Sequence, residues 1–170
     1  MNTAAIQLSK ALVPESKLIV TVSPEKRDRV QQLGADLLIN YLETPDFTEV
    51  VKELTSTHRS PVYIVHFSQR EAVAQAQALQ PIALVNKEQK AKIAAALGSF
   101  TFGSGFGQIL SKLLRAGIGV HHAGLLPRYR RLVERLTQAG LLQVICGTDT
   151  LGVGINVPIR TVLLTSLSKF

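Results

Sequence analysis

Apolar runs of five or six residues alternate along this chain with longer stretches of helical period, the pattern of a sheet covered by helices. The runs that predict buried strands are Leu18 to Val22, Leu37 to Tyr41, Val62 to Phe67, Ile118 to His121, Leu142 to Cys146 and Thr161 to Thr165. Between them, Pro24 to Leu33 opens a helix after a Ser23 cap, and Asp46 to Leu54 opens one after a Thr-Pro pair. Gln69 to Leu79 follows Ser68 in the same way. A further helix is predicted near the start, before the first strand, and Asn86 to Leu97 also carries helical period. Strands linked through helices run parallel with right-handed crossovers. The expectation is an α/β, doubly wound, mainly parallel sheet of about six strands with helices on both faces. Ligands of such sheets gather at the carboxyl ends of the strands.

At 170 residues and 46% apolar content the chain can bury a substantial core and form one domain. No apolar run reaches the roughly 18 residues of a membrane span, and no secretory signal is evident, so the expected compartment is the cytoplasm. A single cysteine, Cys146, excludes an internal disulfide and a thiolate-rich metal site, and its apolar neighbours make it a buried structural thiol. The net charge of +7 is uneven: residues 1 to 58 hold six Lys/Arg against eight Asp/Glu, whereas residues 59 to 170 hold thirteen against four. The basic second part suits a polyanionic partner and equally suits an ordinary solvated surface.

The change of charge coincides with a polar stretch, Thr55 to Pro61, which is the candidate seam within the domain. Gly98 to Gly107 is rich in glycine with interleaved Phe. No Lys-Ser/Thr pair follows to hold a β-phosphate and magnesium, so it reads as a flexible or packing loop rather than a phosphate cradle. After Pro127, Arg128, Arg131 and Arg135 fall on one helix face and Leu132, Val133 and Leu136 on another. That basic face is either solvated or in contact with phosphates. His121 and His122 are adjacent, so they point different ways and do not share a metal.

Two stretches of text resemble known families. Ala4 to Lys10, Thr21 to Lys26, Leu33 to Asp36 and Ile39 to Tyr41 together resemble the Rossmann region of medium-chain quinone oxidoreductases over about a third of the chain. That resemblance places Ser23 and Lys26 where the family contacts the adenosine ribose or its 2′-phosphate, while the residues themselves read as a helix cap and a surface charge. The glycine-rich turn that would approach the pyrophosphate is not among these residues, and dinucleotide binding is not expected.

From Pro61 onward, Val65 to Arg70, Gly119 to Pro127 and Gly147 to Pro158, each following a strand, resemble the second RecA-like domain of superfamily 2 DExH-box RNA helicases, especially the superkiller-like branch. The resemblance implies a RecA-like three-layer sandwich in which Ser68, Arg70, His122, Ala123 and Gly124 lie along a nucleic-acid backbone. Thr148 and Thr150 have hydroxyls for phosphate, and Arg128 and Arg131 add charge. It also implies that Asp149, Gly152, Gly154 and Asn156 shape the loop that reaches the ATP ribose; a tight glycine and proline connection is the plainer reading of those four. Neither a Gly-x-x-x-x-Gly-Lys-Ser/Thr loop nor an Asp-Glu magnesium motif occurs, and the sequence stops before the Gln/Arg-rich motif that supplies an arginine finger. The expectation is therefore a helicase-like binding fragment with weak affinity for single-stranded RNA or DNA, no tightly bound cofactor, and no catalytic or metal-ligating residues. ATP-Mg would serve only with a first RecA-like domain as partner. A recombined or designed chimera without selected function, and a vestigial reductase fragment, are the rival expectations.

Overall fold

The computed structural model describes residues 17–22, 27–40, 48–148 and 158–165. In chain order they form β1 (Lys17–Val22), α1 (Arg27–Gln32), β2 (Leu37–Asn40), α2 (Thr48–Ser56), β3 (Val62–His66), α3 (Gln69–Leu79), α4 (Lys87–Leu97), α5 (Phe106–Arg115), β4 (Ile118–His121), α6 (Pro127–Gln138), β5 (Val144–Thr148) and β6 (Thr161–Leu164). The strands make one six-stranded sheet in the order β2-β1-β6-β3-β5-β4. Every pairing is parallel. The expected α/β fold is therefore the observed one.

Side chains alternate across the pleat. Val62 and Ile64 of β3, Val144 and Cys146 of β5, and Ile118 and Val120 of β4 face the larger core with apolar residues of α2 through α6. Tyr63, Val65, Ile145 and Val162 face the other way and share a smaller core with Val30 of α1. Strand β3 lies between β5 and β6 and is buried at all five positions. Its helix starts where the sequence says: the Ser68 hydroxyl accepts from the Glu71 amide. Asn86 and Gln89 form a reciprocal capping box at α4. Proline at the first position opens α6.

Two expectations move. The run Leu142 to Cys146 predicts a strand, but β5 begins at Val144, because ladder pairing starts only where β4 lies alongside; Leu142 is buried off the ladder. Phe106 and Gly107, read as loop, are the first turn of α5, whose apolar face is buried through Leu110, Leu113 and Leu114. The candidate seam is a helix end and turn that docks β6. The Arg160 guanidinium donates to the His58 carbonyl at 3.0 Å, and the Thr161 hydroxyl donates to the Arg59 carbonyl at 3.0 Å. Since β6 pairs with both β1 and β3, one sheet crosses residues 55 to 61. The helix expected before β1 lies outside the described residues. No described helix is long and apolar enough to cross a membrane.

A central strand buried on both faces should dominate stability. Ile64→Ala, at a fully buried position, should cost about 2 to 5 kcal/mol in urea unfolding. Leu37→Ala on edge strand β2, where the side chain is 49% exposed, should cost less than about 0.5 kcal/mol.

Candidate nucleic-acid interface

The carboxyl ends of β3, β5 and β4 stand side by side, with His66 opposite Thr148 and His121 opposite Gly147. Their common level is set by close packing. The wholly buried Tyr63 donates its hydroxyl to the Thr148 carbonyl at 3.2 Å. A Cβ on Gly147 would collide with that hydroxyl and with the His121 carbonyl, so this position takes only glycine.

In front of these ends lies a cavity of about 710 Å³. Helix α3 supplies Gln69, Arg70, Val73 and Ala74 to its wall, and the glycine-rich segment supplies Gly103, Ser104 and Phe106. The turn after β4 and the start of α6 supply His122, Gly124, Leu126 and Arg128. Thus Arg70, His122, Gly124 and Arg128, drawn from two separate sequence segments, meet on one concave surface. Ser68 caps α3 beside it.

The other sequence-predicted residues divide by position. Ala123 is exposed in the turn but does not line the cavity. Arg131 is exposed on α6 without a hydrogen bond or ion pair to any described residue, whereas Arg135 donates to the Ala96 carbonyl at 3.2 Å and is drawn toward α4. Thr148 is buried at the end of β5 and does not line the cavity. Ser23, Lys26, Asp149, Thr150, Gly152, Gly154 and Asn156 lie outside the described residues. Among the described residues, no group of three or more His, Cys, Asp or Glu could hold a metal ion. Cys146 is fully buried, and burial pushes its thiol well up.

The glycine-rich segment is a packing element organised by Tyr129, which periodicity alone did not single out. Phe102 stacks on the Tyr129 ring at 6.1 Å, and Phe100 packs edge-on to Phe102 at 4.9 Å. The Tyr129 hydroxyl accepts from the Gly103 amide at 2.9 Å and from the Arg128 guanidinium at 3.1 Å. Gly107 has no room for a Cβ beneath that same hydroxyl. The spacing of Phe100, Phe102 and Phe106 was the available signal, but its partner lies more than twenty residues downstream.

The two adjacent histidines diverge. His121 shares a 3.2 Å hydrogen bond between its Nε2 and the Glu134 carboxylate, while His122 turns to the cavity with Phe106 at 6.5 Å. Burial lowers the pKa of both, against the Glu134 carboxylate for His121 and reinforced by His121 for His122. His66 is lowered furthest, to about 4, by burial against a weaker opposing pull from Glu71. His122, the one of the three that lines the cleft, is therefore neutral at physiological pH, while the exposed Arg70 and Arg128 make the rim cationic.

No protein-family model matches the chain. It is similar to DExH-box RNA helicases over most of its length. The ATP-dependent RNA helicase mtr4 of Schizosaccharomyces pombe is 31% identical over 74% of this chain. The DExH-box ATP-dependent RNA helicase DExH9 of Arabidopsis thaliana is 32% identical over 94% of it, and Superkiller complex protein 2 of Mus musculus is 34% identical over 72%. The alignment with DExH9 runs past the expected limit at residue 61 into the first part of the chain. The chain spans 12%, 16% and 10% of the length of these three relatives, respectively.

The histidine burial has a pH consequence. The unfolded His66 titrates near 6.5 and the folded one near 4, so between these values the unfolded chain binds the extra proton. Stability should be full above pH 6.5 and fall by about 3 kcal/mol as pH drops to 4. Urea midpoints measured across that range should show the loss, and His66→Phe should shrink it.

Proposed function

We propose that this chain is the nucleic-acid-facing part of a helicase motor, equivalent to a second RecA-like domain, which grips a single-stranded backbone at the carboxyl ends of β3, β5 and β4. The observation that carries this reading is the convergence of Arg70, His122, Gly124 and Arg128 on one cleft with no carboxylate among its lining residues. Similarity to helicases over most of the chain supports the same assignment.

The chemistry suits a phosphate chain. Two guanidiniums sit at the cleft and Arg131 stands free one turn along α6, so anionic oxygens can be met without first breaking an ion pair. Loops following parallel strands present backbone amides in the same direction, and the strand ends hold them at one level. Binding is weak and largely indifferent to base sequence, because positive charge and backbone donors read phosphate rather than base edges. ATP turnover belongs to a larger assembly: the 170 residues contain neither a Gly-x-x-x-x-Gly-Lys-Ser/Thr loop nor an Asp-Glu pair. A first RecA-like domain is the partner that completes the site, with Asp149, Gly152, Gly154 and Asn156 contributing to it from this chain.

If Arg70, Arg128 and Arg131 each neutralise one phosphate, fluorescence-anisotropy titrations with single-stranded RNA should give a log-log salt slope of about −2, at roughly −0.7 per contact. Arg131→Glu should flatten the slope by about one contact for every sequence alike. A slope of zero would remove the assignment. The isolated 170-residue chain with ATP-Mg and RNA should release no phosphate above the protein-free rate, and stimulated turnover would place a complete catalytic site within it.

A further inference from the structure

The cleft holds more than a phosphate track requires. Its volume of about 710 Å³ lies within the range of pockets that enclose small organic groups. Apolar surface dominates its wall, through Val73, Ala74, Leu125 and the half-buried Phe106, while Leu126 at its edge is 54% exposed, one of two large apolar side chains left so open among the described residues. A channel that met only phosphates would gain nothing from this surface.

One polar side chain is set into the apolar wall. His122 is 6% exposed, and its ring makes no hydrogen bond to any described residue. Its Nδ1 is sealed from solvent without a partner, so Nε2 is the nitrogen left open to the cavity. A buried donor without a partner costs more than a buried lone pair, so the hydrogen sits on Nε2, where a ligand can accept it. Burial keeps the ring neutral. Arg70 and Arg128 are exposed and line the same cavity, and the Arg128 guanidinium is steadied 4.8 Å above the Tyr129 ring.

We propose that this cavity receives one unstacked nucleobase of the bound single strand, seated between Phe106 and Leu126 with a hydrogen bond from His122 Nε2, while its flanking phosphates rest on Arg70 and Arg128. The inference builds on the backbone-binding reading and adds a base subsite to it. Every base has an apolar face, and one donor gives only a weak preference among bases that carry an acceptor. A base-paired strand cannot present its base in this way without unpairing, so the subsite favours single strands over duplex. Charge complementarity selects the occupant: an apolar peptide would leave both guanidiniums unmatched, whereas a nucleotide satisfies the apolar wall, the imidazole and the cations together.

The test compares three RNA probes with the same number of phosphates, titrated against the full chain: an ordinary single strand, the same strand with abasic sites throughout, and a hairpin duplex. Base seating predicts that the abasic strand binds about tenfold more weakly than the ordinary one at the same salt slope, and that the duplex also binds more weakly. Ala74→Trp would fill the cavity from an exposed helical position, and Leu126→Ala would remove one wall without touching the core. Each should bring ordinary and abasic strands to equal affinity while the melting temperature and salt slope hold. His122→Gln, which keeps a donor, should retain more of the difference than His122→Phe. Equal, salt-dependent binding of ordinary and abasic strands by the unmodified chain would overturn the base subsite and leave backbone binding standing. Absence of salt-dependent binding to any probe would overturn both.

Discussion

The site depends on one crowded contact inside the sheet. Tyr63 spans the smaller core to hydrogen-bond the Thr148 carbonyl, and it can do so only because Gly147 has no side chain. The His121 carbonyl closes on the same glycine from the neighbouring strand. This packing locks the carboxyl ends of β3, β5 and β4 at one height, and the turns that follow β3 and β4 inherit that height. If the strands ended at different levels, Arg70 and Arg128 would not share a wall.

Burial and charge are segregated across this surface for a related reason. His66, His121 and His122 occupy the last positions of strands or the first beyond them, where the sheet core meets the turns. Desolvation holds all three below their ordinary pKa, so they are neutral at physiological pH, and of the three His122 lines the cleft. Arg70 and Arg128 stand at the second positions of α3 and α6, beyond the apolar layer, and remain exposed. A neutral imidazole beneath a cationic rim follows from where each residue type can be afforded water.

Tyr129 joins the cleft to the rest of the fold. Its ring gathers the Phe residues of the glycine-rich segment, and its hydroxyl fixes both a backbone amide of that segment and the guanidinium of Arg128. The segment is thereby a wall. Gly103 and Gly107 serve close packing against the Tyr129 side chain, and no Lys-Ser/Thr pair follows the segment.

Local pattern determined a great deal of this protein. Short apolar runs and helical repeats located the strands to within two residues, Ser68 and Asn86 marked helix starts, and the βα order implied a parallel sheet with Arg70 and His122 at its carboxyl end, because these features depend on neighbours only a few positions apart. The tertiary structure decided what depends on distant partners: the insertion of β6 between β1 and β3, the docking of residues 58 and 59 onto Arg160 and Thr161, the folding of the Phe-rich segment onto Tyr129, the diversion of Arg135 to α4 and the burial of Thr148. These contacts join residues from about 25 to more than 140 positions apart, and periodicity carries no information about which distant surface a segment will meet.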